Sequence, residues 1–117
     1  MDLKILDKRL KNIKFDNIRG WDIVTILDEK PSLAPVFKNI KDLTGYQWTH
    51  LLIERPTLSK YCQNWDVLSG WNWSCLLRKR PKFVKHCKHW NKFSDTDRAY
   101  LLNKRPELLS VISRSTN

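Results

Sequence analysis

Glycine and proline recur through this chain at a spacing of 25 residues, a pattern that indicates a repeated supersecondary unit. Because both residue types control backbone geometry, their shared period predicts that the same bend is built several times. We therefore expect a tandem array rather than one irregular globule. All three glycines and four of the five prolines follow the period: Gly20, Gly45 and Gly70 in one series, and Pro31, Pro56, Pro81 and Pro106 in the other.

Each unit has the sequence signals of two successive helices. Thr44, Ser69 and Ser94 precede apolar residues at helical spacing, and their hydroxyls can cap the free amides of a helix start. A residue before proline is disfavoured in the α region, so the first helix should end near the cation that precedes each proline. The proline is then well placed as the first residue of a shorter second helix. These cations are Lys30, Arg55, Arg80 and Arg105.

Apolar residues occupy equivalent positions in nearly every copy and predict the buried face of each helix pair. Helices this short are marginal alone, so neighbouring copies must bury one another's apolar side chains. The first helices contribute Ile23, Trp48 and Trp73 with the pairs Ile26-Leu27, Leu51-Leu52, Leu76-Leu77 and Leu101-Leu102; the second helices contribute Leu33, Leu58, Phe83 and Leu108, followed by Phe37, Cys62, Cys87 and Ile112; Trp65 and Trp90 anchor the turns.

The predicted fold is all-α: a single domain built as a short right-handed α-solenoid of helix-pair repeats of about 25 residues. Residues 1–17 carry one amphipathic stripe and are expected to form an N-terminal capping helix. Residues 18–42, 43–67 and 68–92 are the repeats. Residues 93–117 form a polar C-terminal capping repeat, in which Asp95 replaces the glycine and Arg98 the tryptophan.

Composition bears on partners and location. The chain has 22 Lys plus Arg against 12 Asp plus Glu, a formal net charge of +10. Between Asp66 and Asp95 there is no acidic residue, so this stretch should dominate the electrostatic field. The charged N-terminus does not resemble a signal peptide and no apolar run is long enough to span a membrane, which predicts a cytoplasmic protein without a membrane partner.

The residues give little support to catalysis or to metal binding. No nucleophile elbow, phosphate-binding glycine loop, HExxH or paired-carboxylate pattern is present, so no enzyme activity, small-molecule substrate or cofactor is predicted. Three cysteines cannot form a complete intramolecular disulfide framework, and Cys62 and Cys87 are interpreted as small buried hydrophobes. A zinc site from Cys75, Cys87, His86 and His89 is the sharper alternative, but the spacing matches known zinc sites weakly.

One stretch resembles a tandem repeat, containing Trp, Leu and Cys, of uncharacterised bacterial proteins. This chain differs from the usual copy in having Arg before Pro and one more residue between Cys62 and Trp65. The resemblance covers residues 43–93 well and 18–112 loosely; it implies a helical array of bacterial or phage origin, and no function. It rests on Trp48-x-x-Leu51-Leu52-x-x-Arg55-Pro56 with Leu58, Cys62 and Trp65, then Leu68-x-Gly70-x-x-Trp73.

A non-enzymatic binding module is the predicted function, because an array of repeats presents an extended surface. The basic surface is expected to dock onto an acidic partner protein, as an adaptor or a phage-type inhibitor of a host complex, with Tyr61, Trp71 or Tyr100 as aromatic anchors. The alternative is sequence-nonspecific nucleic-acid binding through the basic patch Arg78–Lys92. The candidate binding residues are Arg55, Arg78, Lys79, Arg80, Lys82, Lys85, Lys88, Lys92 and Arg105.

Overall fold

The computed structural model describes residues 18–88 and 90–111, which are mostly helical and contain no strand. The all-α prediction is therefore confirmed for this part of the chain. The chain divides between Gln63 and Asn64 into two compact units. The N-terminal unit contains helices α1 (Trp21–Glu29) and α2 (Gly45–Glu54), and the C-terminal unit contains α3 (Gly70–Lys79) and α4 (Asp95–Lys104).

Two parts of the sequence prediction lie outside the described residues: the N-terminal cap over 1–17 and the last six residues of the C-terminal capping repeat, which include Ile112. The assignment of the whole chain to one domain, with its repeat boundaries, stays a prediction.

Three of the four helices begin with a reciprocal capping box. The Thr44 hydroxyl accepts a hydrogen bond from the backbone N–H of Gln47 at 3.2 Å, and the Gln47 side chain accepts from the Thr44 N–H at 2.9 Å. Each box satisfies two donors near the helix start and fixes the direction in which the chain enters the helix. The predicted caps are confirmed, and the structure adds their partners three residues later: Ser69 with Asn72, and Ser94 with Asp97.

Each helix ends at the cation before proline, as predicted. Arg55 has φ −132° and ψ 72°, well outside the α region, and Arg80 has the same values. The clash between the proline ring and the preceding residue accounts for this geometry. Lys30 and Arg105 adopt closely similar angles at the ends of α1 and α4.

In the first three pairs the second helix is a 3-10 helix rather than an α-helix, whereas in the last pair the 3-10 turn Pro106–Leu108 leads into α-helical residues 109–111. The bonds of a 3-10 helix join residues three apart, as between the Leu58 N–H and the Arg55 carbonyl at 2.9 Å. A run of six residues or fewer suits this tighter winding, since it closes its bonds within a shorter stretch of chain. These segments are Pro31–Val36, Pro56–Tyr61, Pro81–His86 and Pro106–Leu108, and further short 3-10 segments occupy Lys38–Asp42, Trp65–Val67 and Trp90–Lys92.

The core of the N-terminal unit forms where α1 packs against α2 and each helix packs against the 3-10 segment that follows it. Most of the predicted apolar positions lie in this core, whereas Ile26 and Leu33 are only half-buried, and Val24 and Ala34 are buried although the sequence pattern did not mark them. Its buried side chains are Ile18, Ile23, Val24, Leu27, Ala34, Phe37, Leu43, Trp48, Leu51, Leu52, Leu58 and Cys62.

In the C-terminal unit, α3 packs against α4 and against the segment Pro81–His86. Trp65 is half-buried and lies between two rings: it stacks on Trp73 at 5.6 Å between centroids and on the His86 imidazole at 4.5 Å. The sequence prediction that Trp65 anchors a turn agrees with its place at the start of Trp65–Val67. The buried side chains here are Leu68, Trp73, Leu76, Leu77, Phe83, Cys87, Trp90, Phe93, Leu101 and Leu108.

Close backbone packing explains one of the repeated glycines. A Cβ atom at Gly70 would overlap the carbonyl oxygen of Lys92 and lie 2.7 Å from a carboxylate oxygen of Asp97. The neighbouring Ser74 is fully buried, and its hydroxyl donates to the carbonyl oxygens of Gly70 and Asp97 at 3.0 Å each. The start of α3 is therefore fixed directly against the first turn of α4.

Candidate functional site

Two of the repeated arginines bind the end of another helix. The Arg55 guanidinium donates from Nε to the carbonyl oxygen of Asp28 at 2.9 Å, and its Nη2 donates to the same atom. In the C-terminal unit, Arg105 Nε donates to the carbonyl oxygen of Arg78 at 2.9 Å. These carbonyls lie in the last turns of α1 and α3, where a helix has no internal donors left. In both cases the arginine at the end of one helix bonds to the end of the helix about 25 residues earlier in the chain.

Four cations line one open cleft in the C-terminal unit. Arg78 and Lys79 come from the end of α3, and Lys104 and Arg105 follow from the end of α4. The cleft has a volume of about 320 Å³, and among the residues that the structure describes these four line it. Because like charges held this close repel one another, a bound anion would relieve the repulsion and be attracted strongly.

Two of these cations have further interactions. The Arg78 guanidinium carbon lies 5.0 Å from the centroid of the Tyr100 ring, a cation–π contact, and its buried Nε has no hydrogen-bond partner among the described residues. Arg105 Nη1 lies 3.8 Å from the Glu107 carboxylate, which is largely exposed. An exposed pair of this kind is weak, so Glu107 neutralises Arg105 only in part.

Lys104 is a site residue that sequence reasoning missed. The pattern that could have identified it is the residue directly before each cation-proline pair. In successive repeats this residue is Glu29, Glu54, Lys79 and Lys104, so its charge changes from negative to positive halfway along the chain. Neither Lys104 nor Lys79 is buried, so both ammonium groups are available to solvent.

The N-terminal unit has a groove with a different charge, and three of its four lining residues are at repeat positions equivalent to those of the cleft. The groove has a volume of about 360 Å³, and it is lined by Asp28, His50, Glu54 and Arg55. His50 Nε2 lies 3.1 Å from Asp28 Oδ2. Two carboxylates against one arginine make this groove unsuited to an anion, although the backbone around it is built alike. The groove of the N-terminal unit is therefore an internal control for the effect of charge in the cationic cleft.

The remaining predicted cations do not line the cleft. The Lys92 ammonium donates to the carbonyl oxygen of Asp66 at 2.8 Å. Lys82 lies 5.6 Å from the centroid of the Phe83 ring. Lys85 and Lys88 are exposed. Lys82, Lys85 and Lys88 form a solvated basic surface on and just after Pro81–His86, separate from the cleft.

Burial and the basic surface both contribute to a lowered pKa of the His86 imidazole. Its pKa lies below the ordinary value of 6.5, first because of burial and then because of the positive charges of Lys85 and Lys88. Its ring is stacked on Trp65. The imidazole is therefore held preferentially in its neutral form.

Exposed aromatic rings accompany both grooves. Trp71 is 45% exposed, as a role in anchoring a partner requires, while Tyr61 and Tyr100 are half-buried. Trp21 and Tyr46 are also exposed, and the sequence analysis did not single them out. Their signal was available, since both take the position of Trp71, directly after a repeated glycine.

The alternative metal and thiol chemistry gains no support from the described residues. Across 18–88 and 90–111, no group of three His, Cys, Asp or Glu side chains is placed to hold a metal; His89 lies outside these ranges. Cys62 and Cys87 are buried in the cores of their units. Burial raises the pKa of the half-buried Cys75 thiol, with Arg78 opposing and Asp97 reinforcing the shift, so this thiol is a poor nucleophile near neutral pH.

In comparisons with known proteins, no family model, no curated protein and no solved structure matches the chain. Among the helices formed by the described residues, none is both long and apolar enough to cross a bilayer.

Proposed function

We propose that this protein is a non-enzymatic binding module that docks an acidic partner protein onto the cationic cleft of its C-terminal unit. The observation that carries this proposal is the convergence of Arg78, Lys79, Lys104 and Arg105 on one cleft. Binding partners gain orientation and speed of association from such complementary charge. The exposed lysines of the same unit extend the positive field around it.

The scaffold that we infer is the short right-handed α-solenoid. Its support is the recurrence, at 25-residue intervals, of a helix, a cation with the same backbone angles and a proline-led 3-10 segment. A solenoid of this kind offers equivalent surface positions in successive repeats, which can be charged differently without changing the backbone. An adaptor, or a phage-type inhibitor that occupies an acidic surface of a host complex, would use such a surface.

Nucleic-acid binding is the second candidate, and Trp71 is the observation that favours it. An exposed indole on the same helix as the cations Arg78 and Lys79 can stack a base, as in proteins that bind single strands without sequence preference. Such binding would weaken steeply as salt displaces the contacts to phosphates.

A titration separates the two candidates. The full chain is mixed with a labelled glutamate-rich peptide, and separately with single- and double-stranded oligonucleotides of equal charge, at low and moderate salt. The variant Lys79→Glu plus Lys104→Glu should lose peptide binding. The control Lys41→Glu plus Lys60→Glu changes the net charge equally at exposed lysines of the N-terminal unit and should retain it. Oligonucleotide binding that exceeds peptide binding at moderate salt would reverse our preference; equal behaviour of the two variants would end both candidates.

A further inference from the structure

We propose that the acidic ligand is an extended peptide segment in which a large aromatic or apolar side chain lies about three residues from a cluster of carboxylates. This inference rests on the proposed function and adds the kind of segment that the site recognises. It is carried by a row of side chains that leads from an exposed tryptophan to the cationic cleft.

The row consists of Trp71, Tyr100 and Arg78. The Trp71 and Tyr100 rings lie 4.8 Å apart between centroids, inclined by 46°. The Arg78 guanidinium carbon in turn lies 5.0 Å from the centroid of the Tyr100 ring, a cation–π contact. Since Tyr100 supports the tryptophan on one side, the exposed part of Trp71 is a positioned apolar surface, the type of residue that anchors protein interfaces.

The length of the row sets the spacing in the ligand. Trp71 and Arg78 are both on α3, seven residues apart, which corresponds to about 10 Å along the helix axis. An extended peptide advances about 3.3 Å per residue, so about three residues span the distance from the anchor to the cleft.

The charge along the row favours a peptide over a nucleic-acid strand. A Cβ atom at Gly70, the residue before Trp71, would lie 2.7 Å from the Asp97 carboxylate, so this negative charge lies at the same end of α3 as Trp71. All the cations that line the cleft lie at the other end. A strand with phosphates at regular intervals would place charge next to Asp97, whereas a peptide can place an apolar residue there and its carboxylates in the cleft.

Anisotropy titrations of the full chain with three labelled peptides test this spacing. One peptide places two residues between a tryptophan and three glutamates, the second places the same tryptophan directly beside them, and the third replaces it by alanine. Versions with the order reversed cover both directions of binding. We expect the spaced peptide to bind about tenfold more tightly than the alanine peptide, the size of a single interface anchor.

Substitutions at Trp71 test whether the row of side chains causes the preference for the spaced peptide. Trp71→Ala should remove the preference for the spaced peptide, and Trp71→Leu, which keeps an apolar cover on Tyr100, should retain part of it. Trp21→Ala is the matched control, since Trp21 is similarly exposed at 44% in the N-terminal unit. Circular dichroism checks that each variant is folded.

The outcomes distinguish this inference from the proposed function. If all three peptides bind equally and the Lys79→Glu plus Lys104→Glu variant still loses them, the binding module survives and the aromatic anchor is wrong. If no acidic peptide binds, or an oligothymidylate of equal charge displaces the spaced peptide at a lower concentration, both proposals are overturned.

Discussion

The Nε atom of Arg105 donates a hydrogen bond to the backbone carbonyl of Arg78, which couples the end of α4 to the end of α3 across one repeat. Arg105 therefore does more than end its own helix: its side chain links α4 to α3. The same link between Arg55 and Asp28 in the N-terminal unit shows that it belongs to the repeat. It also places the two basic helix ends beside each other, and so forms the cleft.

Arg105→Lys should destabilise the protein although it preserves the charge. A lysine lacks the planar Nε donor, so the carbonyl of Arg78 loses its partner at a cost of about 1 kcal/mol in the free energy of unfolding. Urea denaturation measures this change. The exposed neighbour Lys104 supplies the control, because Lys104→Met should alter the same free energy by less than about 0.5 kcal/mol. Equal stability of Arg105→Lys and the wild type would mean that charge alone matters at this position.

Gly70→Ala should also destabilise, against the trend of helix propensity. Alanine is the better helix former by up to about 1 kcal/mol, but its Cβ would overlap the carbonyl oxygen of Lys92. Overpacking of this kind costs about 1–3 kcal/mol, so we expect a net loss. Thermal melts compare it with Asp95→Ala at the equivalent, exposed position of α4, which should shift the midpoint little. A Gly70→Ala midpoint at or above that of the wild type would contradict the close approach.

Local signals in the sequence were sufficient to place the α-helices. Ser69 and Pro81 act on backbone groups within three or four residues, so a capping box and a helix end can be identified without tertiary contacts. The choice of 3-10 over α winding after Pro81 could not be made in this way, since both close hydrogen bonds along the same few residues and the packing around them decides between the two.

Three of the four residues that line the cleft, Arg78, Lys79 and Arg105, were candidates from the sequence, and Lys104 was not. Arg78 and Lys79 were identified as cations in a basic stretch, but their convergence with Lys104 and Arg105 depends on the packing of α3 against α4. The contacts of the other cations could not be predicted either, because they also depend on tertiary packing. Lys92 meets the carbonyl of Asp66, 26 residues away, a contact that charge patterning does not predict.

Acidification should destabilise the fold through His86. Its pKa is lowered in the folded protein, so the unfolded chain binds the proton more readily. The stability that the neutral imidazole provides is therefore present above pH 6.5 and is lost as the pH falls through the lowered pKa. Thermal midpoints at pH 7.5 and pH 5.5 measure this loss. His86→Gln removes the titrating group, so the variant should lose less on acidification; a loss as large as that of the wild type would show that the effect does not come from His86.

Charging the N-terminal groove like the cleft should create a second anion site. Asp28→Arg plus Glu54→Lys would give that groove the cations found at Arg78 and Lys104, on a backbone that already places Arg55 at the position of Arg105. We expect the glutamate-rich peptide to bind with a stoichiometry of about two instead of one, measured by isothermal titration calorimetry, because complementary charge is the main attraction. Asp22→Lys plus Asp42→Lys, which raises the net charge by the same amount at exposed residues outside the groove, controls for overall charge and should leave the stoichiometry unchanged. A variant that stays folded and still binds one peptide would show that the cationic cleft needs more than its charges, with the row from Trp71 to Arg78 as the next feature to transfer.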